Sequence, residues 1–274
     1  MGPASTDPRK TRFQFRAPSR PWLLTLSLIV LGEGLCVLVA PSLDVSRGVA
    51  SVLSFTCVCG SVLAASSVAP SGSLWRLAWV FVPVFAIAAV AMTDARASNP
   101  GAVMLITVSL LAIGTLAGGL IGGRIQHPGH LLVVAYVSSL ADIFSVLHRD
   151  GVSARIVAAE AILVLAAMGW PLFGTSELPP MLGVGDIVLT ALYVTTARAH
   201  KLGVKQMVLA LSVGYSATLV SLFVFARAIP ALPFLGAAVI ALVPPAHRLR
   251  REDLPAAILG MTTLTALFAW LWFR

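Results

Sequence analysis

Apolar residues gather along this chain in long runs, at about 22–40, 48–69, 74–92, 101–122, 130–147, 181–197, 205–227, 230–244 and 254–273, with Pro, Gly, Ser, Asp and Arg between them. A run of about 20 apolar residues matches the roughly 30 Å hydrocarbon core of a bilayer. The pattern predicts an all-α, polytopic transmembrane helical bundle with about nine spanning helices. A tenth segment, about 154–172, is apolar but holds Arg155 and Glu160. If it crosses, Arg198, Lys201, Lys205, Arg248, Arg250 and Arg251 fall on the side opposite the basic N-terminal stretch. If it does not, all of them share that side, as cytoplasmic loops rich in Lys and Arg require. The segment is therefore read as a re-entrant or surface helix.

Composition sharpens this reading. The 274 residues are 58% hydrophobic and 11% charged, whereas soluble domains carry about 25% charged residues. The net charge of +8 needs no nucleic acid, because it sits in short loops and in the tail holding Arg9, Lys10, Arg12, Arg16 and Arg20. That tail, residues 1–21, is expected to be cytoplasmic, ahead of a first run that reads as a signal anchor. The chain is expected to be a multi-pass protein of the plasma (inner) membrane. Cys36, Cys57 and Cys59 all lie inside apolar runs, and the odd count speaks against a disulfide framework. Small packing residues is the better reading of all three.

Within the runs a few residues stand out. Glu33, between Gly32 and Gly34, is either a buried ionisable partner or a carboxyl hydrogen-bonded to a neighbouring helix or water. Gly114, Gly118 and Gly122, with Gly119 and Gly123, form overlapping small-residue ridges against which another helix can approach closely. Two carboxylates inside runs are costlier and mark a functional site by default. Asp142 lies five residues before the end of its run, and Asp186 about five after the start of its own. At about 1.5 Å per residue both come to one depth if the intervening segment returns to the same membrane face. Two carboxyl groups held together share a proton, so one can act as base and the other as acid. That is the chemistry of an aspartyl protease, and also of a proton relay in a transporter. Gly183-Val184-Gly185 ahead of Asp186 removes side-chain bulk beside the acid. Farther on, Pro230-Ala231-Leu232-Pro233 at the start of a run either simply begins a helix at proline or breaks helical pairing and leaves the nearby carbonyls open to another partner.

Taken in order, Asp142, Gly183-Val184-Gly185-Asp186 and Pro230-Ala231-Leu232 resemble the Gly-x-Gly-Asp intramembrane aspartyl proteases, the presenilin and signal peptide peptidase family. The resemblance covers roughly residues 130–245. It implies a presenilin-like fold and a catalytic pair of Asp142 and Asp186. It also implies that Gly183, Val184, Gly185, Pro230, Ala231 and Leu232 shape the site and meet a transmembrane peptide substrate, with no cofactor and no metal. The chain then divides into the tail (1–21), a four-helix membrane scaffold (22–122), the catalytic core (130–245) and an additional C-terminal helix (254–274). Four features depart from the family: Ala141 stands where a Tyr usually precedes the first Asp, only four runs precede that Asp where the family has more, the long loop of presenilin is missing between 147 and 181, and the final run is extra. Prepilin peptidases share a Gly-x-Gly-Asp aspartate, but usually place a Lys soon after it, where Ile187-Val188-Leu189 follow here. A proton-coupled transporter and an inactive relative acting as a binding protein are the other readings. No phosphate-binding Gly-rich loop and no His-Glu-x-x-His occurs, and His127 and His130 read as interfacial rather than metal-binding.

Overall fold

The computed structural model describes residues 20–70, 83, 84, 86, 87, 99–227 and 229–274. Residues 1–19 of the expected tail, and nearly all of the run at 74–92, lie outside the described residues. The chain forms helices α1 (Arg20–Val39), α2 (Arg47–Ser67), α3 (Pro100–Gly122), α4 (His130–Leu147), α5 (Val152–Ala158) and α6 (Glu160–Ala166). Strands β1 (Ala167–Gly169) and β2 (Pro180–Gly183) follow, then helices α7 (Val184–Ala199), α8 (Val204–Phe225), α9 (Leu232–Leu242) and α10 (Leu254–Trp272). Among the described residues six helices are long and apolar enough to cross a membrane: α1, α2, α3, α4, α8 and α10. With 16 and 11 residues, α7 and α9 are shorter. Among the described residues the bundle shows eight of the nine expected runs; the ninth, at 74–92, lies almost wholly outside them.

Helix ends follow local chemistry. Pro100 opens α3 in its first turn, and the Asn99 side chain accepts the Gly101 amide at 2.9 Å. The C-terminal carbonyls of α2 are closed from a distance by Arg198, which donates to Ala69 O at 2.7 Å, to Ser66 O at 3.1 Å and to Ser67 O. At the end of α8, Ala226 takes a left-handed conformation (φ 49°) and stops the helix.

The most enclosed element is α7. Nine of its 16 residues are buried, from Ile187 to Ala197. The glycine ridge of α3 packs directly on it: a methyl at Gly118 would fall on the Val188 carbonyl oxygen, and one at Gly122 on that of Leu192. The expected close helix partner of the ridge is thus the helix that carries Asp186. α2 and α8 flank α7, α9 packs against α4 and α8, and α10 runs along α4. Cys59 is buried in the core this assembly makes. Outward-facing residues such as Leu28 (68% exposed), Leu38 (78%) and Leu259 (69%) are apolar, as lipid contact requires.

Cross-links between helix ends define two opposite ends of the bundle. Thr196 Oγ1 donates to Gly122 O at 3.2 Å, His200 Nε2 meets Ile125 O at 2.8 Å, Gln206 donates to Leu242 O at 2.7 Å, and His130 pairs with Asp253 at 3.1 Å. These gather Arg198, Lys201, Lys205, Arg248, Arg250 and Arg251 at one end. The segment after α4 stays at the other, so 154–172 does not run from one end of the bundle to the other. It is not one helix, however. The seven-residue helices α5 and α6 meet at Ala159 (φ −107°, ψ 82°), and the chain then enters β1. The all-α expectation is corrected here by an antiparallel ribbon in which Ala167 faces Gly183 and Met168 faces Leu182. Pro179 and Pro180 explain it in part, since prolines cannot supply the amides a helix through 181 would need. The Glu160 side chain lies outside the described residues.

Candidate active site

The ribbon changes where Asp186 sits. The helix begins at Val184, so Asp186 is its third residue rather than lying a full turn and more inside a helix starting at 181. Gly183 is the residue before the helix, and the Asp186 carboxylate lies against it: a methyl at Gly183 would stand 3.5 Å from Asp186 Oδ2. The local sequence thus turns the carboxylate back toward β2 and away from the packed face that holds Ile187 and Thr190.

Asp142 lies on α4, five residues before Leu147. Its Oδ2 accepts the backbone amide of Leu232 at 2.9 Å, and the Ala231 backbone lies beside the same carboxylate. The reason is proline placement. Pro230 and Pro233 have no N–H, so Ala231 and Leu232 supply the free donors at the start of α9. A carboxylate at that helix start satisfies the Leu232 donor and is favoured by the helix dipole. Sequence reasoning looked to open carbonyls near these prolines. The described contact uses an amide instead.

Both aspartates line one cavity of about 680 Å³, together with Gly183, Val184, Gly185 and Ala231. The two carboxyl groups are close enough to interact electrostatically. Pro230 is buried beside the cavity, and Leu232 reaches the site through its amide. Three segments separated in sequence, read as one site from their residue types, are therefore brought together. Every residue of β2 lines the cavity, and among the described residues its outer edge pairs with no other strand.

Several contributors have no sequence signal. Phe55 of α2 lines the cavity and packs edge-on against Tyr215, with ring centroids 6.4 Å apart. The buried Tyr215 hydroxyl bonds Thr190 Oγ1 at 2.7 Å, one turn past Asp186, and lies within electrostatic reach of that carboxylate. Ala141 is exposed and brings no polar group to the site. Glu33 is fully buried outside the cavity, beside Thr107 of α3, and neither carboxylate oxygen has a hydrogen-bond partner among the described residues. Among the described residues no group of three or more His, Cys, Asp or Glu side chains is placed to hold a metal ion. Comparison with family profiles, with curated proteins and with solved structures finds no match for this chain.

Proposed function

We propose that this chain is an intramembrane aspartyl endopeptidase of the Gly-x-Gly-Asp type, hydrolysing peptide bonds within transmembrane segments or remnant signal peptides. One observation carries the reading: Asp142, the Gly183–Asp186 turn and the Ala231–Leu232 backbone converge on a single cavity open to water-sized molecules. A structural pair of buried acids would need neither an unpaired strand edge beside it nor room for a peptide. The cavity has both.

In this reading the dyad holds one proton between its two carboxyl groups. The ionised carboxylate takes a proton from water as the water oxygen bonds to the scissile carbonyl carbon. The protonated carboxyl gives its proton to the carbonyl oxygen, and a tetrahedral diol forms. Collapse of the diol breaks the C–N bond, with one proton delivered to the leaving nitrogen, and restores the shared proton. The Leu232 amide holds Asp142, and the turn at Gly183 sets Asp186 beside β2, so the pair is positioned before substrate arrives. The outer edge of β2 offers backbone groups to an extended substrate strand, which exposes the peptide bond as a helix would not. The N-terminus is cytoplasmic in this proposal, the bundle sits in the plasma (inner) membrane, and the cavity opens to the opposite face, as the basic residues at the far end require.

The test is cleavage of a fluorescent single-span substrate by purified protein in liposomes, with Asp142→Asn and Asp186→Asn alongside. Both variants should lose about 10²-fold or more in rate, and a transition-state-like aspartyl-protease inhibitor should block the wild type. Cleavage that survives either substitution removes the dyad from the chemistry.

A further inference from the structure

The cavity is lined by four charged residues: the two aspartates, Arg47 and Glu177. Arg47 and Glu177 are exposed, and among the described residues neither takes part in an ion pair. Arg47 is the first residue of α2, and Ser51 and Phe55, one and two turns below it, line the same cavity. Spacing by four keeps the three on one helix face. That face descends from the mouth to the dyad, because Phe55 touches Tyr215 and Cys59, one turn deeper, lies within electrostatic reach of Asp186. The column is therefore a ruler. From Arg47 to the level between Phe55 and Cys59 is eight to twelve residues of helix, or about 12–18 Å at 1.5 Å per residue. An extended strand covers that distance in about four to five residues at roughly 3.3 Å each.

We propose that Arg47 is a specificity-determining residue that selects substrates carrying an acidic side chain about four to five residues from the cleaved bond. This rests on the proteolytic reading above and names the substrate class within it: single-span segments with an acidic residue just outside the apolar stretch, on the side that leaves through the cavity mouth. Glu177 comes from the loop ahead of β2 and carries the opposite charge. It repels the same acidic residue, so the two rim charges together fix which side of the mouth the substrate passes. The rest of the wall is largely apolar (Val146, Ile156, Leu163, Leu172, Leu219 and Leu222) and suits the membrane part of the substrate. It carries little information about charge, which leaves that choice to the rim.

The experiment is a set of single-span peptides bearing Asp, Ala or Lys at each position from one to nine residues from the cleaved bond. Cleavage is followed in neutral detergent without anionic lipid. Wild type should prefer Asp over Lys by about fivefold in kcat/KM, mainly through KM, with a maximum at the fourth or fifth position. Normalised to each enzyme's own cleavage of the Ala peptide, Arg47→Glu should reverse the preference to Lys, while Glu177→Lys should strengthen the preference for Asp. A preference unchanged in Arg47→Glu, or strongest beside the cleaved bond, overturns the inference. So does a preference seen only when anionic lipid is added, which would make Arg47 a headgroup contact. If wild type cleaves no peptide at all, the proteolytic reading is what fails. The rim is then judged by fluorescence anisotropy of the labelled peptides, where equal affinity of wild type and Arg47→Glu overturns it.

Discussion

Gly118 and Gly60 show how much a single hydrogen in place of a methyl decides. Both lie inside apolar helices, and their local sequences look alike in hydropathy. A methyl at Gly60 meets nothing within 4 Å, whereas one at Gly118 collides with the Val188 carbonyl, the Ala191 side chain and the Leu192 amide. Gly60→Ala is expected to be neutral or to stabilise by up to about 1 kcal/mol, the helix propensity gained over glycine. Gly118→Val should cost about 2 kcal/mol or more, since the rigid backbone of α7 cannot yield. Thermal unfolding in a mild detergent checks both. On the proteolytic proposal, the Gly118 variant should also lose cleavage before it unfolds, because α7 carries Asp186 and would be pushed toward the cavity. Residue types alone were enough to nominate Asp142, Gly183, Gly185, Asp186 and the Pro230–Pro233 stretch. What they could not give was the Leu232 amide on Asp142, since a backbone donor has no letter in the sequence.

At the scale of elements, the ends matter more than the lengths. α2 closes its last carbonyls on Arg198, a residue of α7 well over one hundred positions away along the chain. That contact ties the end of one scaffold helix to the end of the helix carrying Asp186. Arg198→Ala should destabilise by about 2 kcal/mol, the range for hydrogen bonds to a charged group. Arg198→Lys should recover only part of it, because an ammonium lacks the planar fork that reaches several carbonyls at once. Chemical unfolding monitored by tryptophan fluorescence measures the difference. Most apolar runs were legible to within two residues at each end, as at 130–147 for α4 and 205–227 for α8. The ribbon was not. Ala167–Gly169 and Pro180–Gly183 are three and four residues long, too short for a two-residue alternation to register. Their pairing is set by the ten residues between them rather than by either strand's own pattern. The break at Ala159 was equally invisible, since nothing in the run of alanines and aliphatic residues marks it.

Across the whole molecule, the charge argument and the helix ends agree on one arrangement. The basic loops share one end, while α5, α6, the ribbon and the cavity lie at the other. In a variant with Cys36, Cys57 and Cys59 replaced by Ser or Ala, a cysteine at Gln126 should react with an impermeant maleimide only from the cytoplasmic side. One at Ser176 should react only from the opposite side, and labelling of intact cells against lysed cells separates the two. The length of α7 carries one more consequence. Sixteen residues rise about 24 Å and α9's eleven about 16 Å, both less than a hydrocarbon core of roughly 30 Å. Neither helix alone spans a full-thickness core: α7 is enclosed by α2, α3 and α8, so protein or water stands beyond its ends, and lipid meets the shortfall only along α9. On the proteolytic proposal, acyl-chain length then becomes a control on cleavage: shorter chains bring the headgroup plane down to the carboxyl groups, and longer chains bury them. Turnover in liposomes should fall as chains lengthen from fourteen to twenty carbons, with substrate binding much less affected.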